Sequence, residues 1–160
     1  MRVAATFALR VVDGDDVPAL AALYAACARE LGPQLYNADQ VAAWESFGAD
    51  TQAFRDYILG ATTWGAFDDV GGLVAGFCGV DSTGEVRSLY VRPDLTRQGL
   101  GTRLLRHTLE QARQAGQARY TAWATPFSLP VFDRAGLRLV GTVREPFCGV
   151  SFERYRVEDT

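Results

Sequence analysis

The sequence predicts an α+β domain: a mixed, mostly antiparallel twisted sheet flanked by helices. Three observations carry that expectation. Apolar residues recur at helical spacing up to Gly60, at a spacing of two from Thr62 to Val91, and at helical spacing again from Leu100. The period-two runs are separated by Gly71-Gly72 and Ser82-Thr83-Gly84, turn residues that suit a meander. One strand then leads through a glycine loop and a helix into another strand, and a helical crossover of that kind joins parallel neighbours.

Taken in order, "FALRVV" (7–12) reads as the first strand. Asp13, Asp15 and Asp16 offer N-caps for a helix whose apolar set is Leu20, Leu23, Tyr24, Cys27 and Leu31, stopped by Gly32-Pro33. "NADQVAAWESF" predicts a second helix capped by Asn37 or Asp39, and "DTQAFRDYIL" a third with Phe54, Tyr57 and Ile58 inward. "TTWGAFDD", "LVAGFCGVD" and "EVRSLYV" form the meander. A long helix from Leu100 to Gln114 buries Leu100, Leu104, Leu105, Leu109 and Ala112 and ends at Gly116. "ARYTAWA" is a further strand, "SLPVFDRAGL" a short helix, and "LRLVGTVREPF" with "GVSFERYRVE" a closing hairpin. No linker or repeat interrupts the chain, so its 160 residues are expected to form one domain, 1–160.

Bulk properties exclude several classes. A net charge of −3 argues against nucleic acid as the main partner. No stretch resembles a signal peptide and no apolar run is long enough to span a bilayer, so a cytoplasmic protein without a membrane partner is expected. All 16 cationic side chains are arginine, which rules out a lysine-bearing phosphate loop. Cys27, Cys78 and Cys148 are widely spaced and read as buried free thiols, and the single His107 as a solvated helix residue. No metal site is expected from them.

The most informative stretch is "LYVRPDLTRQGLGTRLL" (89–105). A strand ends at Pro93, and Arg97-Gln98-Gly99-Leu100-Gly101-Thr102 brings small residues and bare backbone N–H groups to the start of a helix. The first N–H groups of a helix lack partners and sit at the positive end of its dipole, so the segment suits an anion, most simply a phosphate. A dinucleotide fingerprint fits poorly, because its third glycine falls at Leu104 and the motif lies past mid-chain.

Element order and motif together resemble the GNAT superfamily, the acyl-CoA-dependent N-acyltransferases, over nearly the whole chain. The loop is similar to that family's V-x-P strand end followed by Q/R-x-x-G-x-G/A, with Thr96 at the Q/R position. The resemblance implies a sheet with one splayed parallel strand pair and acetyl-CoA as co-substrate. It places the pyrophosphate on Arg97, Gln98, Gly99, Gly101 and Thr102, and the pantetheine arm along Leu89, Tyr90 and Val91. Backbone N–H groups around Tyr90 and Val91 become the oxyanion donors, and Thr125 a further cofactor contact. "SLPVFDRAGLRLVG" resembles the second signature, with Phe132 where many members carry the tyrosine that protonates the leaving thiolate.

The implied reaction is direct attack of an amine on the thioester, with Glu85 as base; burial in a sheet cleft would raise its pKa usefully. A solvated carboxylate beside the Gly84 turn is the competing reading. For the acceptor, a small-molecule or peptide amine, the first helices and last hairpin supply Tyr36, Trp44 and Phe147, with Phe47 nearby and Asp39, Glu45 and Glu145 as acids. Trp44 and Phe47 equally suit the core, and the hairpin a homodimer surface. Two other functions fit the same residues: a non-catalytic acyl-CoA-binding module and a structural interaction domain. A serine hydrolase does not, since no G-x-S-x-G occurs.

Overall fold

In the computed structural model, which describes residues 6–159, the chain opens with β1 (Phe7–Val11). The domain expected over 1–160 therefore includes residues 1–5 and 160, which lie outside the described residues. Asp13 and Asp16 then form a reciprocal cap: the Asp15 N–H donates to Asp13 at 2.9 Å and the Asp13 N–H to Asp16 at 2.8 Å. A single 3₁₀ turn, Gly14–Asp16, feeds α1 (Val17–Leu31), which Gly32 and Pro33 convert into another 3₁₀ turn rather than a loop. Asn37, not Asp39, caps α2 (Ala38–Ala49) through a reciprocal pair with Gln40, and Asp50 caps α3 (Thr51–Leu59).

The meander follows as β2 (Thr62–Asp68), β3 (Val74–Val80) and β4 (Glu85–Val91). Next come α4 (Leu100–Gln114), β5 (Thr121–Ala124), α5 (Leu129–Arg134), β6 (Leu137–Phe147) and β7 (Val150–Asp159). The seven strands run in the order β1-β2-β3-β4-β5-β7-β6, and β4 with β5 is the parallel pair.

Alternation along the strands divides the core into two layers, one on each face of the sheet. On one face Leu104, Leu105 and Leu109 of α4 and Phe132 of α5 pack on Ala75, Val86, Ala122 and Val157. On the other, Leu20, Tyr24 and Cys27 of α1 and Phe54 and Ile58 of α3 pack on Phe67 and Phe77. Leu105 has no solvent exposure, so Leu105→Ala is expected to cost about 2–5 kcal/mol, read as a lower urea midpoint with unchanged slope.

Two expectations need correction. His107 is not solvated: its flank of α4 packs against β2, its ring meets Trp64 edge-on at 4.4 Å, and Nε2 is buried without a hydrogen-bond partner among the described residues. Cys148 is exposed, because it occupies the tight β6–β7 turn with φ of 50° instead of a core-facing strand position.

Candidate active site

Strand β4 makes unequal use of its two edges. It pairs with β3 from Val86 to Val91, but with β5 only at Glu85–Thr121 and Val86–Ala122. Beyond Val86 the parallel neighbours part. The partners of β4 on β3 jump from Val86–Val80 to Ser88–Gly79, so Arg87 is an extra, bulged residue, and a bulge bends its strand. The Arg92 N–H donates back to the Ala75 carbonyl of β3 at 2.8 Å. Successive N–H groups of a strand point to opposite edges. Tyr90 therefore also faces β3, while the N–H groups of Leu89 and Val91 face the gap. The Val91 carbonyl on the same edge accepts from Cys27 Sγ at 3.3 Å.

Pro93 ends β4, and the chain turns through Thr96 (φ −65°, ψ 154°) into Arg97, a non-glycine residue at φ 62°. Gly99, at φ 85°, precedes α4. Alternating handedness of this kind turns consecutive N–H groups toward one concavity. Among the described residues no side chain caps α4, whereas Asn37 and Asp50 accept from N–H groups of α2 and α3. The donors at the start of α4 are thus left for something outside the helix.

The gap and the loop open into one cleft of about 1480 Å³. Leu89, Tyr90, Val91, Arg97, Gly99, Gly101, Thr102 and Thr125 line it, as does Trp44 at the α2 side. Gln98, Tyr36 and Phe147 do not. The charge of the lining is one-sided: Arg87, Arg97, Arg103, Arg106 and Arg134 contribute, and no aspartate or glutamate does. In a chain of net charge −3, that arrangement favours a polyanion. A Cβ built on Gly101 would meet only Val91 at 3.5 Å and Val131 at 3.9 Å, so the space above it belongs to the cleft. Phe132, 3% exposed, forms part of the wall.

Glu85 lies outside that cleft, in a smaller cavity of about 250 Å³ lined also by Tyr57, Val86, Arg87, Trp123 and Arg154. The two spaces share Val86, Arg87 and Trp123 as a common wall. Arg156 Nη1 lies 3.4 Å from Glu85 Oε1, and the guanidinium groups of Arg154 and Arg156 lie 4.7 and 4.9 Å from the Trp123 ring centre. Asp81 holds the turn before Glu85, accepting from the N–H groups of Thr83 (2.9 Å) and Glu85 (3.1 Å), from the Thr83 hydroxyl (2.6 Å) and from Arg87 Nε (3.1 Å). Partial burial pushes Asp81 up, but these hydrogen bonds outweigh it and hold the carboxyl below the ordinary carboxylate range. Its folded-state pKa being depressed, Asp81 contributes stability that is present above its unfolded pKa and is lost as pH falls through the folded value. Asp81→Asn should flatten the acid limb of urea midpoint against pH below about pH 4.

The model of the acetyltransferase (GNAT) domain matches residues 34–158. This chain is a GNAT acetyltransferase domain. Among solved structures, a GCN5-related N-acetyltransferase from Rhodopseudomonas palustris aligns with a TM-score of 0.89 at 23% identity, covering 100% of this chain and 99% of that one. The PaiA N-acetyltransferase of Thermoplasma acidophilum, in complex with coenzyme A, gives 0.79 at 14%, covering 96% and 98%. YncA of Salmonella typhimurium, solved with its cofactor acetyl-CoA, gives 0.65 at 17%, covering 96% and 92%. No curated protein sequence matches the chain.

Within this GNAT domain, sequence reasoning overlooked Ser88, Arg103, Arg106, Trp123 and Arg134 on the large cleft and Arg154 on the small one. The spacing of Arg103 and Arg106 on a helix that starts at the glycine loop is a usable signal, since residues three apart share a face. Tyr36 and Phe147 pack instead on Phe152, at 5.3 and 5.9 Å between ring centres. Among the described residues no helix is long and apolar enough to cross a membrane, and no three His, Cys, Asp or Glu side chains converge as metal ligands.

Proposed function

We propose that this domain transfers an acetyl group from acetyl-CoA to an amine, a small molecule or a peptide. The observation that carries the reading is the acid-free, arginine-lined cleft joining the unpaired edge of β4 to the uncapped start of α4. Coenzyme A has the shape and charge such a cleft suits: phosphates for the loop and helix donors, and an amide-bearing arm for the N–H groups of Leu89 and Val91 and the C=O of Leu89.

When bound, acetyl-CoA supplies an acyl carbon activated as a thioester. Arg97, Gly99, Gly101 and Thr102 orient the phosphate end, with Arg103, Arg106 and Arg134 adding charge. The Val91 N–H, on the open edge, is the donor for the developing oxyanion. Glu85 takes a proton from the incoming ammonium, whose nitrogen then bonds to the acyl carbon as the carbon–sulfur bond breaks. The second amine proton leaves with the sulfur as thiol. Phe132 cannot deliver that proton, and a thiol of pKa about 8.5 departs without an enzymatic acid. Tyr57 donates to the Arg87 carbonyl at 2.7 Å and pins the bulge between the two spaces.

Glu85→Gln tests the base. Acetyl-CoA affinity by calorimetry should stay unchanged while kcat falls about 10²-fold. A variant as active as the wild type removes Glu85 from the chemistry. Saturable acetyl-CoA binding with no turnover of any amine would instead favour the binding-module reading.

A further inference from the structure

The cavity around Glu85 has opposite charges at two points of its wall. Glu85 lies at one and Arg154 at another, and the rings of Tyr57 and Trp123 add apolar surface to the same wall. From these groups we infer that the acceptor is a small amine that carries its own carboxylate, an amino acid in the broad sense. The inference rests on the acetyltransferase reading above. An ammonium placed on Glu85 puts the nucleophilic nitrogen beside the wall shared with the large cleft, and the acid group of the same molecule then has Arg154 as its partner.

Arg154 is free to make that exchange. In this structure its Nη1 donates to Glu145 at 2.9 Å, but the two side chains are 40% and 45% exposed, and ion pairs that open to water contribute little. Arg156, paired with Glu85 at 3.4 Å and Glu158 at 3.6 Å, does not compete for the role, because it is not among the residues that line the cavity. Arg87 is held by Asp81 at 3.1 Å. Trp123 fixes the direction of Arg154, whose guanidinium carbon lies 4.7 Å from the ring centre, so the fork is presented without ordering a free side chain. A cavity of about 250 Å³ admits a compact zwitterion rather than a folded protein segment.

The test is thiol release from acetyl-CoA with matched acceptors: the proteinogenic amino acids and β-alanine, each beside its own carboxamide. The expected result is at least one amino acid whose kcat/KM exceeds that of its amide by about tenfold or more. In Arg154→Gln that preference should collapse through a raised KM, with kcat for the amide and acetyl-CoA affinity both unchanged. Equal use of acids and amides overturns the inference, as does a loss in Arg154→Gln that falls on both alike. Turnover confined to amines without a carboxylate also overturns it, while leaving the acetyltransferase reading standing. Absence of acetyl-CoA binding by calorimetry removes both.

Discussion

Gly84→Ala is expected to cost more than about 4 kcal/mol and to leave little folded protein. Two effects add at this position. Its φ of 88° is a conformation that costs an L side chain about 1–2 kcal/mol, and a Cβ there would collide with the backbone oxygen of Arg119. Relief by rotation is blocked, because the Gly84 N–H donates to Asp81 at 3.1 Å and its carbonyl accepts from Thr121 at 3.0 Å. The latter bond is the first rung between β4 and β5, so strain enters where the parallel pair begins. Gly99→Ala is the control: φ is 85°, yet nothing stands within 4 Å, so only the conformational cost of about 1–2 kcal/mol applies. Urea unfolding of the two variants should differ by several kcal/mol. Equal losses would show that the approach to Arg119 is not what requires glycine.

Gly101→Val should abolish acetyl-CoA binding without harming the fold. Valine is no worse a helix former than glycine, and the nearest side-chain atoms to its Cβ, at 3.5 and 3.9 Å, are in ordinary contact. The two methyl groups must then occupy the mouth of the cleft, between the Val91 edge and the first donors of α4. Calorimetry should show an affinity loss of at least about 10³-fold, or about 4 kcal/mol, with circular dichroism and melting unchanged. Retained affinity would place the ligand elsewhere in the cleft and separate the glycine loop from phosphate binding.

How much of this was legible in the sequence follows from which physical signals are local. The change of apolar period at Thr62 and again at Leu100 marks the meander and α4, because burial on a strand and on a helix leaves different spacings. Pro93, Gly99 and Gly101 punctuate the loop for equally local reasons. The bulge at Arg87 is silent: the extra residue is an exposed arginine, indistinguishable in sequence from an outward strand position. The one-sided charge of the cleft is silent as well, since Arg87, Arg97, Arg103, Arg106 and Arg134 come from four separate stretches in a chain whose cations are all arginine. Tyr36 and Phe147 look like pocket aromatics by position. In the fold they brace the hairpin against α2, a choice made by tertiary packing on Phe152 and Phe47. His107 shows the converse, a polar residue drawn onto β2 by the width of the buried face of α4.

The arginine lining has a consequence for durability. An acyl thioester modifies any unprotonated amine held near it, and a lysine in such a wall would become a victim of its own reagent. Guanidinium groups stay protonated at every physiological pH and have no nucleophilic lone pair to offer. The remaining soft nucleophile on the wall, Cys27, donates to the Val91 carbonyl, and burial pushes its thiol up to about 12. A cleft built this way can hold an activated acyl group through many turnovers without acylating itself, so prolonged incubation with acetyl-CoA should leave the intact mass of the described cleft residues unchanged.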